Sequence, residues 1–297
     1  MAAFLENVSQ IAILVFVVTC MATAGLGLTV HNMVAPLRRV RLVLLAVVAN
    51  FIFAPALAYA LTALLPLHEH YEVGLLLLGG AAGAPFLPKL AELARGDFAF
   101  SVGLMLLLMV GSVVFIPLAL PLMIPGLAPE PWPLLRPLLL TMLGPLIAGM
   151  VVKNRSDAWA TWLQPRVAVV SNVSMLLTLA LLIGLNLKAM LNTFGSGAAA
   201  VGAVFVSLSL AFGYALGGPS PSTRSVLGLG TGQRNVAAAL LIAAQNYPTE
   251  PGVMVMLMVT TLVGLIPILL ATWWFARHSV SVGIHSDATS FADHPFA

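Results

Sequence analysis

Long uncharged apolar runs alternate along this chain with short polar or proline-rich stretches. Ile11 to Val30, Leu42 to Pro66, Phe98 to Pro129, Val167 to Leu187 and Pro251 to Ala276 hold no Asp, Glu, Lys or Arg. Each is long enough to cross a bilayer as a helix. The uncharged run from Ala189 to Thr223 holds one further span behind a Gly/Ser-rich lead-in. The pattern predicts about nine membrane helices, at 8–30, 41–65, 71–95, 98–124, 133–152, 165–187, 196–217, 222–246 and 252–276. The polar segment 278–297 reads as a disordered cytoplasmic tail, leaving 1–277 as the transmembrane domain.

Two of these segments contain helix breakers. The third carries Gly83-Ala84-Pro85-Phe86-Leu87-Pro88-Lys89, with its break predicted near 83–88 at Gly83, Pro85 and Pro88. The eighth carries Gly228-Leu229-Gly230-Thr231-Gly232-Gln233-Arg234-Asn235, with its break predicted near 228–233 at Gly230 and Gly232. The two segments are five apart in order, so they run in opposite directions through the membrane. That is the pattern of an inverted repeat, whose broken helices cross near the bilayer midplane and build a binding site there. The expected fold is all-α: a polytopic membrane protein with two crossed broken helices.

Charge then orients the chain. Arg38, Arg39, Arg41, Arg95, Lys153, Arg155, Arg166, Arg224 and Arg277 all fall on one side of this topology, against Arg136 and Lys188 on the other. Glu6, Glu69, Glu72, Glu130 and Glu250 collect opposite the arginines. The positive-inside rule then puts the N-terminus outside and the C-terminus in the cytoplasm, in a bacterial inner membrane or plasma membrane. The first apolar run has no basic start and is followed by a basic loop, so it reads as a retained helix and not a cleaved signal. The net charge of +3 reflects these loops and gives no reason to expect nucleic acid. One cysteine, Cys20, excludes an internal disulfide. No HExxH, GxSxG or Walker pattern is present, so neither an enzyme nor a metal or cofactor is expected.

Two cations remain inside spans, Lys89 and Arg234. A charge at bilayer depth is costly and needs a partner or a cavity. Arg234 is read as the anchor of an anionic substrate; the alternative is a structural arginine bonding carbonyls freed at the helix break. Lys89 is read as a tethered cation at the first break, able to exchange a proton if buried; the alternatives are an ion pair with Glu92 one turn on, or snorkelling to the interface. Thr231, Gln233 and Asn235 complete the candidate set for substrate binding or coupling. Asn50 reads as a bonding group between helices.

The motifs resemble the bile acid:sodium symporter family. Ala94-Arg95-Gly96-Asp97 with Ser101, the pattern Gly230-Thr231-Gly232-Gln233-Arg234-Asn235, and Gly25-Leu26-Gly27-Leu28-Thr29 carry the likeness. The resemblance implies a core of helices at 41–124 and 196–276, a panel of helices at 8–30 and 133–187, and a substrate between them. The family's sodium ligands are a Ser-Asn pair at the first break and a Glu and Gln at the second. Here those positions hold Leu87-Pro88, Gly230 and Arg234, and only Asn235 persists. The expected function is therefore secondary transport of a small organic anion, a carboxylate or sulfonate, by alternating access without sodium. The alternatives are a sodium-coupled symporter and a non-transporting receptor or scaffold of the same fold.

Overall fold

The computed structural model describes residues 2–27, 29, 39–124 and 131–290. Arg38 and Glu130 of the charge pattern, residues 28 and 30 of the first predicted helix, and 291–297 of the tail lie outside the described residues. All regular structure among the described residues is helical. Lipid offers the backbone no hydrogen bonds, so each apolar run closes its own bonds by coiling. Eight helical stretches are long and apolar enough to cross a membrane. The ninth predicted span, the third in order, is split into two half-helices.

The elements are α1 (Ala2–Leu26), α2 (Val40–Leu64), α3 (Glu69–Gly80), α4 (Leu87–Leu93), α5 (Phe98–Met123) and α6 (Pro131–Leu138, continuing to Arg155). After a short turn come α7 (Asp157–Gly195), α8 (Ala198–Leu216), α9 (Pro221–Gly232), α10 (Val236–Asn246) and α11 (Pro251–Ser290). The order helix, helix, half-helix pair, helix occurs twice, in α1–α5 and α7–α11, with α6 unmatched. Helix α1 packs along α7 and α6; α8 packs along α9 and α11, and α11 also lies against α3. Helix α2 contains a widened π turn, Val48–Phe53, that carries Asn50.

Two expectations need correcting. The second break lies at Gln233–Asn235, after the glycines: Gly230 is inside α9 and Gly232 is its last residue. Their low helix propensity is overridden by packing, because side chains there have no room. A Cβ on Gly232 would stand 2.8 Å from the Leu210 side chain, and one on Gly228 would stand 3.1 Å from the Leu210 carbonyl oxygen. At the first break the non-helical stretch is 81–86, and Pro88 belongs to the first turn of α4, where its missing N–H costs nothing. Helix α11 is continuous past 278 to Ser290.

Gly83 sets the path of the first break. Its φ is +82°, and a Cβ there would lie 2.3 Å from the Met109 backbone nitrogen of α5. Gly83→Ala therefore meets both a left-handed backbone penalty and a backbone clash, together about 2–4 kcal/mol of lost stability. Gly184, inside α7 with no atom near its Cβ position, is the control. Gly184→Ala gains about 0.5–1 kcal/mol. Thermal unfolding of both variants in nanodiscs checks the opposite signs.

Candidate functional site

The two breaks lie against each other and are stitched together by hydrogen bonds. The backbone N–H of Asn235 donates to the Ala81 carbonyl at 2.9 Å. Its side-chain Nδ2 donates to the Gly83 carbonyl at 3.1 Å, while its Oδ1 accepts from Ala238 N and caps α10. From α5, Ser112 Oγ accepts from Ala82 N at 2.8 Å and donates to Ala82 O at 3.0 Å. Unpaired backbone at membrane depth is thereby satisfied without solvent.

Arg234 sits at the centre of this crossing and is 4% exposed. Helices α3 and α9 both end here, each presenting carbonyls that have no partner within the helix and the negative end of a helix dipole. Arg234 Nε donates to Leu78 O at 3.0 Å, and Nη2 donates to Gly79 O. Nη1 donates to Asn50 Oδ1 at 3.0 Å and to Thr231 O at 3.4 Å, and Nη2 reaches Asn50 O at 3.5 Å. A guanidinium has five N–H groups, and these five contacts match that number. Asn50 is itself held by bonds from Nδ2 to Ala46 O at 3.1 Å and Thr231 Oγ1 at 3.2 Å. Arg234 is thus tied to protein carbonyls and Asn50, and the role of anion anchor expected for it loses its donors.

The positions aligned with the family's first sodium ligands form an apolar contact. Leu87 is fully buried, and a Cβ on Gly230 would lie 3.1 Å from the Cδ2 atoms of both Leu87 and Leu104. Leu87, Pro88 and Gly230 bring no side-chain oxygen to this contact.

Beside the crossing lies a cavity of about 370 Å³. Its walls come from α1, from both breaks, from α10 and α11, and from α7 through Met175, Thr178 and Leu179. A second cavity of about 290 Å³ lies between α1, α7 and the first break, and is more polar, with Thr23, Gln164, Ser171 and Asn172 in its wall. Cys20, Pro85 and Phe86 face both.

Of the five residues singled out for binding or coupling, Lys89, Gln233 and Arg234 line the larger cavity. Thr231 and Asn235 do not: both are fully buried in the bonding of the crossing. Lys89 pairs with Glu92 at 2.8 Å and keeps a side chain 65% exposed. It faces the cavity and holds an ion pair at once. Asn50, read only as a helix-bonding residue, proves to be the side-chain partner of Arg234. An uncharged polar group alone in an apolar span was the available signal, since an intramembrane charge must find a partner.

Crossed broken helices beside a cavity define the architecture of a secondary transporter. Residues 12–193, well over half of the chain, match the Sodium Bile acid symporter family. The chain belongs to that family, whose members are membrane transporters. The matched stretch includes the first break and ends before the second. No curated protein matches the chain significantly.

If Arg234 holds the crossing, a shorter point charge cannot replace it. Arg234→Lys keeps the charge but loses the planar fork that reaches both helix ends and Asn50. It should cost about 3 kcal/mol, within the range for breaking a buried, fully bonded charge. Asn50→Leu should cost a comparable amount. Denaturation of the purified variants in nanodiscs measures both.

Proposed function

We propose that this chain carries an amphipathic organic anion across the membrane by alternating access, and that sodium does not drive it. The observation that carries this reading is Arg234, whose five N–H groups take the oxygens of the two helix ends and Asn50. A tethered guanidinium at that point does structurally what a bound sodium ion would do, and it repels a second cation nearby. The Leu87–Gly230 contact supports the same conclusion for the other ion position.

The substrate lies in the larger cavity, between a core of α2–α5 with α8–α11 and a panel of α1, α6 and α7. Rocking of the panel against the core exposes the cavity to each side in turn. The side rich in basic loops is taken as the cytoplasm. The largely hydrocarbon wall favours a substrate with a sizeable apolar body. Its charge is met by Lys89, whose ammonium has three donors and gives one to Glu92. The site for the anion thereby moves from Arg234 to Lys89. A carboxylate or sulfonate fits a lysine equally well, and nothing in the site favours one.

Uptake by proteoliposomes tests the coupling. Replacing sodium with potassium or choline at fixed pH should leave the initial rate of carboxylate uptake unchanged. A rate that collapses without sodium overturns the reading.

The anion site has its own test. Lys89→Gln should weaken carboxylate binding roughly ten-fold, the loss of one charge-assisted hydrogen bond. Glu92→Gln should strengthen it by freeing the ammonium. Calorimetric titration of both variants reads the two opposite changes, and a neutral alcohol of the same length should respond to neither.

A further inference from the structure

Helix α6 does not belong to one body along its whole length. Its first stretch, Pro131–Leu138, packs along α5 of the core. Its second stretch, Gly144–Arg155, packs along α1 and α7. The second contact is tight: a Cβ on Gly149 would stand 2.7 Å from the Ala22 carbonyl oxygen, and one on Gly25 would overlap the Leu146 carbonyl oxygen. Between the two stretches lies a widened π turn, Leu139–Leu143, which touches both α1 and α5. There the Gly144 N–H donates five residues back, to Leu139 O, and Pro145 has no N–H to offer the Thr141 carbonyl. Helices bend where their ladder of bonds is interrupted, at prolines and at π turns.

The π turn of α2 shows what such a feature does when both flanks lie in one body. Both halves of α2 pack on α8, and the turn between them carries Asn50 to Arg234. In α6 the turn carries no such group. Leu139, Leu140, Met142 and Leu143 are hydrocarbon, and Thr141 Oγ1 donates within its own helix, to Pro137 O at 2.7 Å. What sets this turn apart is its place, where one continuous helix passes from core to panel. The chain returns to the core at Gly195-Ser196-Gly197, between α7 and α8. Gly197 has a φ of +79°, and neither glycine has an atom within 4 Å of its Cβ position. Both passages lie at the end of the molecule that carries Arg136 and Lys188, away from the basic loops.

We infer that Leu139–Leu143 is a hinge on which the panel turns, with Gly195-Ser196-Gly197 as its counterpart, so that only the second stretch of α6 moves with α1 and α7. The inference rests on the rocking of panel against core proposed above. A hinge takes up a rigid-body rotation in the backbone angles of a few residues, and here those residues stand between two stretches that each keep their own packing. A pivot at this end makes the opposite end travel farthest. A rotation of about 10° over the roughly 30 Å hydrocarbon thickness shifts the far end by about 5 Å. The more polar cavity, with Gly27, Phe98 and Gln164 in its wall, lies at that far end and opens most.

The test measures two spin-label distances on the full chain in lipid nanodiscs, with Cys20→Ala removing the only native thiol. One pair, Arg41→Cys in α2 with Ala158→Cys in α7, reads core against panel at the basic-loop end. The other, Leu122→Cys in α5 with Leu191→Cys in α7, reads them at the hinge end; all four positions are exposed. The first pair should give a broad or two-peaked distribution and the second a single narrow peak. Pro145→Ala restores a backbone N–H, and deletion of the exposed Leu140 takes out the extra residue of the π turn. Either change should reduce the first pair to one narrow peak at an unchanged melting temperature. Pro165→Ala restores an N–H inside α7, where both flanks belong to the panel, and should leave the first pair as it is. If the first pair is already narrow in the parent protein, with and without octanoate, the rocking reading falls and the hinge with it. If it is broad and neither Pro145→Ala nor the Leu140 deletion narrows it, or if Pro165→Ala narrows it equally, the hinge is overturned while the rocking stands. A second pair as broad as the first puts the pivot elsewhere and overturns the hinge too.

Discussion

A single guanidinium joins what two broken helices leave open. Helices α3 and α9 stop inside the membrane, and each stop exposes carbonyls that lipid cannot satisfy. Leu78, Gly79 and Thr231 supply those carbonyls, Asn50 adds its side chain and its own carbonyl, and Arg234 answers all of them. The charge and the acceptors need each other. An unpaired arginine at this depth is expensive, and so is a pair of uncapped helix ends. The geometry of the breaks follows from this contact: Asn235 is carried into reach of Ala81 and Gly83, and Gln233 is turned to the cavity wall.

The membrane class, the spans and the two interrupted segments were legible in the sequence, because apolar length, charge side and proline-glycine clusters are local signals. The position of the second break was not. Gly228, Gly230 and Gly232 read as breakers, yet they are helical because Leu210, Tyr214, Leu87 and Leu104 crowd their Cα atoms. Glycine allows close approach as readily as it allows a turn, and sequence alone does not distinguish the two uses. The same limit applied to Arg234. Its residue type announced that it would be paired, but four of its five acceptors come from residues 155 to 184 positions away, and only folding brings them together. Lys89 was the simpler case, since Glu92 one turn on was visible in advance and is the partner it takes.

The site divides labour between charges that are fixed and groups that are free. Arg234 lines the cavity yet spends its donors inward. Lys89 keeps donors at the cavity. An intramembrane arginine near a cavity invites assignment as a ligand anchor. Counting its hydrogen bonds reverses that assignment, because a guanidinium with every N–H engaged has only its diffuse charge to offer. The residue with spare capacity is the more exposed lysine, which gives one of its three donors to Glu92.

If Arg234 stands where a coupling ion would bind, as proposed, the thermodynamics of the carrier change with it. A bound ion would stabilise the crossing by an amount that grows with the logarithm of its concentration above Kd, and that dependence is how a gradient enters the cycle. A covalently attached guanidinium is present at every step and on both sides, so it contributes the stabilisation without the dependence. A carrier lacking any other coupled ion follows only the electrochemical gradient of its substrate. For a monovalent anion and an interior-negative potential, that gradient contributes roughly 2.3 kcal/mol per 100 mV in the outward direction. Net inward movement then requires a concentration gradient that exceeds this term, as when the substrate is consumed after entry; fixed charge on the protein returns with the empty carrier and contributes nothing over a cycle. Lys89 sits on α4, beside the first break, and would travel with the crossing as one body. Lys89 and Glu92 cancel each other, so a monovalent anion held by Lys89 adds one net negative charge to the loaded carrier whether it displaces the carboxylate or sits beside it, unless Glu92 takes up a proton as the anion enters.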